Sequence, residues 1–325
     1  MNKKKQKNFV NQGSLALRRR APQNKSFLLL FFKKRCFYLH LMTDTTKLRS
    51  RYARLVAARG GARNPRIEQA FATVEREKFA GPGPWSLSTG GGGYRRTPDS
   101  DPHHLYEDTL IALNPERGLN IGEPSAHACW LDALALQEGE TVLQVGAGSG
   151  YYTAIMAYLV GPTGCVHAFE IDPTLAQRAR ENLRDLPQVH LHTRSGIADD
   201  LPMVDAVYVN AGITQPCRPW LNALRPHGRL LFPLQGEASF GGMLLITRPK
   251  RGTAWPARFV SRAGFVACSG PQDPDAARRL DAAFARRAWD EVKSFRTDNP
   301  ADSTCWFAGE DWWLSTNPPE GSVLF

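Results

Sequence analysis

The stretch that most constrains this chain is 141–160. Thr-Val-Leu-Gln-Val reads as a short apolar strand, Gly146, Gly148 and Gly150 follow in alternation, and an apolar helix resumes over 151–160. A chain that passes from strand to helix in so few residues needs a tight turn. Glycine supplies it, and leaves the backbone bare enough for a ligand to touch. Downstream, strands are expected at 165–169, 189–192, 206–209 and 229–232, with helices at 174–183 and 219–224 and further strands at 243–247 and 259–266. Strands alternating with helices imply βαβ units and a parallel sheet covered on both faces. The expected class is α/β, a Rossmann-like doubly wound sheet.

Upstream, 47–80 reads as helical, with a break at Gly60-Gly61. The stretch 81–94, rich in glycine and proline, reads as a loop without regular structure, either a surface linker or a substrate-side lid. Helix returns over 126–136. Near the end, 275–295 has apolar residues every fourth position and reads as one amphipathic helix, and 306–314 reads as one last strand. Four regions result: a basic leader over 1–41, a helical and loop substrate-side region over 42–135, a cofactor-binding core over 136–250 and a C-terminal extension over 251–325.

Charge separates the leader from the rest. The chain carries 41 basic and 31 acidic residues, a net charge of +10. Eleven of the basic residues and none of the acidic ones fall in 1–41, so 42–325 holds 30 basic against 31 acidic. A basic footprint confined to a leader removes the main argument for nucleic-acid binding. The leader has three readings: an organelle-targeting segment, a disordered basic arm, or sequence upstream of a true start at Met42, the last being preferred. Its longest apolar run, 27–32, is far short of the ~20 residues a spanning helix needs, so no membrane partner is expected. The six cysteines are scattered without a CxxC pair, which fits a reducing, cytoplasmic setting without disulfides or a zinc site.

Three features carry chemistry. A dinucleotide fingerprint, GxGxxG, would want glycine at 151, where this chain has Tyr151. The observed GxGxG suits the S-adenosylmethionine loop of class I methyltransferases, which cradles no pyrophosphate; Gly146, Ala147, Gly148, Ser149 and Gly150 are its candidate cofactor residues. Glu170, followed by Ile171, ends the second strand, where a carboxylate can accept both ribose hydroxyls of an adenosyl ligand. Asn210 ends the fourth strand, and ligands of open parallel sheets bind outside the carboxyl ends of strands. It should therefore face the cofactor or the substrate. His190 and His192 share a strand face without a third ligand in reach, so no metal is expected. His103-His104 and the cluster Trp306, Trp312 and Trp313 read as surface and packing residues.

The run Glu140-Thr-Val-Leu-Gln-Val-Gly-Ala-Gly-Ser-Gly-Tyr-Tyr-Thr-Ala resembles the protein-L-isoaspartate O-methyltransferase family. So do Leu159-Val-Gly-Pro-Thr-Gly-Cys-Val, Leu224-Arg-Pro-His-Gly-Arg-Leu-Leu-Phe-Pro-Leu, Val74-Glu-Arg-Glu-Lys-Phe and Tyr106-Glu-Asp. The resemblance covers roughly 65–248. It implies a class I methyltransferase fold, S-adenosyl-L-methionine as cofactor, and methyl transfer to an isoaspartyl carboxylate in damaged protein or peptide. It also places Gln144 where the family has an acid in the first strand, and Ser195-Gly196 where the adenine amino group is held. The family's substrate segment usually reads Ile-Ser-(Gln or Ala)-Pro, with the serine hydroxyl near the reacting carboxylate. Here it is Ile121-Gly122-Glu123-Pro124. The substrate side is then expected at Gly122, Glu123, Ser125, His127 and Tyr106, with Ser125 or His127 standing in for the hydroxyl. Glu123 adds a negative charge where a carboxylate approaches, which is unfavourable unless it points away or is paired. Two further readings are methyl transfer to another small-molecule or protein acceptor, and cofactor binding without turnover, acting through the Trp-rich C-terminal region.

Overall fold

The computed structural model describes residues 45–237, 240–269, 273–298 and 300–320; the expectations for 1–41 and Met42 lie outside them. Helix α1 spans 45–60, followed by α2 (Pro65–Thr73) and α3 (Arg76–Ala80). A small antiparallel sheet comes next, ordered β2-β1-β3-β4, from β1 (Ser86–Ser88), β2 (Tyr94–Arg96), β3 (Ile111–Asn114) and β4 (Leu119–Ile121). The core then runs α4 (Pro124–Leu134), β5 (Thr141–Val145), α5 (Tyr151–Val160), β6 (Cys165–Phe169), α6 (Pro173–Leu183), β7 (Val189–His192) and β8 (Val204–Val209). It continues through α7 (Arg218–Ala223), β9 (Leu224–Leu234), β10 (Gly241–Thr247), β11 (Ala254–Ala263) and α8 (Pro274–Ala285). Strands β12 (Ser294–Arg296), β13 (Cys305–Ala308) and β14 (Trp313–Ser315) close the chain.

The ten-stranded sheet is ordered β13-β14-β12-β11-β10-β9-β8-β5-β6-β7. Its β7-β6-β5-β8-β9 half is parallel, the doubly wound arrangement the alternation implies. The chain moves outward from β5 through β6 to β7, then returns to β8 on the other side of β5. The carboxyl ends of β5 and β8 therefore flank the point where strand order reverses, the usual ligand crevice of such sheets. From β9 onward the pairing turns antiparallel. The reason is connection length: only 235–240 joins β9 to β10 and 248–253 joins β10 to β11, too short for a crossover helix.

Helix α5 is buried along all but one of its residues, as a helix apolar on nearly every side must be. In α6, Asp172 caps the amides of Thr174 and Leu175 and Pro173 opens the first turn.

Three sequence expectations need correction. The stretch 81–94 is not wholly irregular: Ser86 pairs with Arg96 and Ser88 with Tyr94. The glycine run is confined to the hairpin tip, and Trp85 and Leu87 are buried beside it. Residues 275–295 are not one helix. After α8, Arg287 and Ala288 adopt positive φ, and the chain returns to the sheet as β12, where Phe295 is fully buried. Finally, 306–314 is a hairpin of β13 and β14, closed where the Gly309 amide donates to the Trp312 carbonyl at 2.8 Å. In each case tertiary burial overrides local periodicity. Among the described residues no helix is long and apolar enough to cross a membrane.

Arg76 ties the helical cap to the loop above the sheet. It is fully buried, and its guanidinium donates to the carbonyls of Leu105, Glu107 and Thr109 at 2.6–2.7 Å. It also lies over the rings of Tyr52 and Tyr151. An Arg76→Met variant strands those carbonyls. Urea unfolding should show a loss of about 3 kcal/mol, and Arg76→Lys should recover less than half of it, since one ammonium cannot span the three acceptors.

Candidate functional site

A cavity of about 1040 Å³ opens above the carboxyl ends of β5, β6 and β8. Its floor is the glycine loop. Gly146, Gly148 and Gly150 have φ of 79°, 58° and 94°, a region side chains disfavour. The Gly146 and Ala147 amides donate to the Phe169 carbonyl at 2.9 and 3.1 Å, and the Gly148 amide donates to Glu170 Oε2 at 2.7 Å. Glu170 Oε1 accepts from the Asp172 amide at 2.9 Å. Each carboxylate oxygen thus keeps acceptor capacity for a ligand. Burial, above all, pushes the Glu170 pKa up, against the pull of these amides.

Ile171, Ser195, Gly196 and Asn210 complete this end of the cavity. Ser195 Oγ accepts from the Ile197 amide at 3.1 Å, and a Cβ on Gly196 would stand 2.8 Å from Val145 Cγ2. Asn210 Nδ2 donates to the Gly146 carbonyl at 3.2 Å. Its Oδ1 and the hydroxyl of Ser149 are buried and without a partner among the described residues. Such orphaned polar atoms around a bare loop fit a ligand that brings hydroxyl and amino donors, as an adenosyl amino acid does.

Gln144 and Gly150 stand behind the wall. Gln144 is fully buried, accepts the Thr153 hydroxyl at 2.5 Å, and so joins β5 to α5. Gly150 starts α5, where a Cβ would meet Leu183 Cδ1 at 2.8 Å.

The other end of the cavity is lined by Gly122, Glu123, Ala126, His127, Trp130 and Phe265. The His127 imidazole is only 3 % exposed. It stacks on Tyr152 with centroids 3.4 Å apart, and its Nδ1 is 2.7 Å from the Tyr208 hydroxyl. Tyr152 in turn donates its hydroxyl to the Gly122 carbonyl at 2.7 Å. Burial, reinforced by the charge of Arg76, holds the His127 pKa well below the usual histidine value. Glu123, before α4, forms no ion pair among the described residues. Burial first and the nearby Asp108 second push its pKa up, with Arg59 opposing.

Tyr106 and Ser125 are not on the wall. Tyr106 sits in the core against Tyr52, with its hydroxyl between Glu77 and Arg49. Ser125 donates its amide to Asp108 Oδ1 at 2.8 Å. Asp108 does line the cavity, two residues after the tyrosine singled out in the sequence. Trp130 was also missed, although it lies three residues after His127 on the same helix, a spacing that shares a face. Phe265 comes from beyond β11 and has no local signal.

A family model described as protein-L-isoaspartate(D-aspartate) O-methyltransferase matches residues 93–255. The protein-L-isoaspartate O-methyltransferase of Ignicoccus hospitalis is 30% identical over 203 residues, covering 61% of this chain and 87% of that one. Protein-L-isoaspartate O-methyltransferase 2 of an Anaeromyxobacter species is 30% identical over 227 residues, covering 67% and 84%. Two solved structures share the fold. A protein-L-isoaspartate O-methyltransferase superposes with a TM-score of 0.57 at 20% identity, covering 73% of this chain and 69% of that one. A Plasmodium falciparum protein assigned to the same activity, solved with S-adenosyl-L-homocysteine, gives 0.52 at 19% identity, covering 67% and 97%. With half of its length matched by the family model and a relative 30% identical over 84% of its own length, the chain belongs to the protein-L-isoaspartate O-methyltransferase family.

Proposed function

We propose that this chain transfers a methyl group from S-adenosyl-L-methionine to the carboxylate of an isoaspartyl residue in a protein or peptide. The observation that carries the reading is one continuous cavity with two chemically distinct ends. One end offers the glycine loop, the Glu170 carboxylate and the Asn210 acceptor; the other offers Gly122, Glu123 and His127. When bound at the first end, the cofactor supplies an electrophilic methyl group. Glu170 would hold the ribose hydroxyls and Ser195 the adenine edge.

An acceptor carboxylate is already ionised and nucleophilic at neutral pH, so the residues at the second end need not remove a proton. Their work is to hold one oxygen in line and to keep water out, and orientation of this kind lowers a barrier substantially. Trp130 and Phe265 supply apolar wall. The five cysteines among the described residues are free thiols, in keeping with a cytoplasmic setting.

Family membership favours this reading over binding without turnover. Glu123 on the wall is the one observation that favours a different acceptor, neutral or cationic. Incubation with labelled cofactor, an isoaspartyl peptide and its aspartyl twin decides between them. Transfer should be confined to the isoaspartyl form, and equal labelling of both, or of neither, would reject the repair assignment.

The cofactor end makes its own prediction. Glu170→Ala should weaken S-adenosyl-L-homocysteine binding about 100-fold by calorimetry, the loss of two hydrogen bonds to a charged acceptor. The raised pKa fixes the sign of the pH effect. Glu170 gains its proton at higher pH than an exposed glutamate, whose pKa is ~4.3, and the protonated form loses acceptor capacity. Affinity should therefore begin to fall on acidification at a higher pH than an exposed glutamate would dictate, and Glu170→Gln should flatten that profile.

Glu123 predicts the opposite slope for the acceptor. Its ionised form repels a carboxylate, and its raised pKa means that this form fills at higher pH than in an exposed glutamate. KM for the isoaspartyl peptide should climb as pH rises through that titration. Glu123→Gln should remove the slope and lower KM about fivefold at pH 8, the equivalent of ~1 kcal/mol of repulsion.

A further inference from the structure

We propose that His127 is the hydrogen-bond donor that grips the methyl-accepting carboxylate, with its Nε2–H aimed into the cavity beneath Gly122 by the buried hydroxyl of Tyr208. The inference rests on the acceptor assigned above and names the group that would select it.

The geometry begins with Tyr208. This side chain is fully buried, and its hydroxyl meets His127 Nδ1 at 2.7 Å with no other partner among the described residues. If Nδ1 carried the proton, the tyrosine O–H would be buried with nothing to accept it, a costly arrangement. The tyrosine must donate, so Nδ1 accepts and the ring proton sits on Nε2.

Nε2 has no protein partner among the described residues. It lies against Gly122, where a Cβ would stand 2.2 Å from Nε2 and 2.8 Å from Cδ2. The imidazole therefore takes the space that a side chain at 122 would occupy, and Gly122 and His127 are one device. Both line the cavity. The ring cannot swing away: Tyr152 covers one face at 3.4 Å, Trp130 packs edge-on at 5.0 Å, and Tyr152 is itself tied to the Gly122 carbonyl.

A neutral imidazole suits this task. Burial and Arg76 keep the ring uncharged, so Nε2–H donates without itself giving up a proton. A hydrogen bond to an ionised oxygen is stronger than one between neutral groups, the more so in a desolvated site. It also helps set against the repulsion of Glu123 on the same wall. His127 thus acts by holding the nucleophile, while Tyr208 is a positioning residue that sets its tautomer.

The test begins with the wild-type chain. In ¹⁵N-histidine NMR of its complex with S-adenosyl-L-homocysteine, His127 should show a protonated Nε2 and a bare Nδ1. Added isoaspartyl peptide, or plain acetate as a probe of the carboxylate alone, should move the Nε2–H resonance. A protonated Nδ1, or no response to either probe, overturns the proposal. Failure of the wild type to methylate the isoaspartyl peptide, with the acetate response intact, overturns the acceptor assignment and leaves the donor assignment standing.

Variants add a second line. His127→Phe keeps the stacking and removes the donor. It should lower kcat/KM for the isoaspartyl peptide about 50-fold with S-adenosyl-L-homocysteine affinity within about twofold of wild type. Tyr208→Phe should scramble the tautomer and cost about fivefold. The double variant Gly122→Ser/His127→Ala returns a hydroxyl to the vacated space and should recover activity over His127→Ala alone. Activity of His127→Phe within about threefold of wild type, or an equal loss of cofactor affinity, means that the ring only fills space.

Discussion

The site depends on β5 being paired on both sides by parallel strands. Val145 registers with Phe169 on one side and with Val209 on the other, so three strand ends arrive at one level. Only because of that register does the Gly148 amide reach Glu170 while Gly146 lies against Asn210. The loop glycines then have a purpose beyond turning. Their bare backbone lets the ends of β5 and β8 approach closely and still leave a floor for a ligand. A parallel sheet of this kind is stable only when covered on both faces, and the almost wholly buried α5 supplies part of that cover.

The second end of the cavity is built by long-range ties and not by the sheet alone. Arg76 gathers three carbonyls of the segment 105–109 around one charge. Asp108 in that segment holds the amide of Ser125 at the start of α4, and α4 carries His127 and Trp130. A buried guanidinium therefore reaches the substrate side through a chain of polar contacts. Such a buried charge is tolerated because three backbone carbonyls, that of Leu105 buried and those of Glu107 and Thr109 partly so, accept from it. Arg76 also lowers the pKa of His127, which links the rigidity of the cap to the charge state of the cavity wall.

The wall combines a neutral donor with an acid whose pKa is raised. Both shifts have burial as their largest cause, and burial disfavours the charged form of each. The same desolvation that quiets the imidazole thus moderates Glu123. In the proposed reading, His127 would meet a carboxylate through a hydrogen bond, in a cavity that Arg262 also lines. That sets tight demands on where the donor points, and the stacking of His127 on Tyr152 meets them.

How much of this was legible in the sequence differs by region. The apolar strands, the alternating glycines and the acid 24 residues after Gly146 are local signals, because hydrophobic period and glycine freedom act within a few residues. They placed β5, α5, β6 and β7 closely and brought Glu170 to the cavity. The C-terminal strands and the hairpin of 81–94 were misread because their conformation is set by partners far along the chain. Phe295 becomes a strand residue only by packing with Trp255 and Leu314. Tyr106 shows the same limit, since its motif was recognised but its side chain turned inward and the cavity went to Asp108. The sequence by itself determined a glycine-loop α/β sheet with an acid just past its second strand, because those depend on backbone and period. Tertiary structure alone decided what faces the acceptor, because the space beneath Gly122, the stacking on Tyr152 and the tautomer of His127 come from elements that meet only once folded.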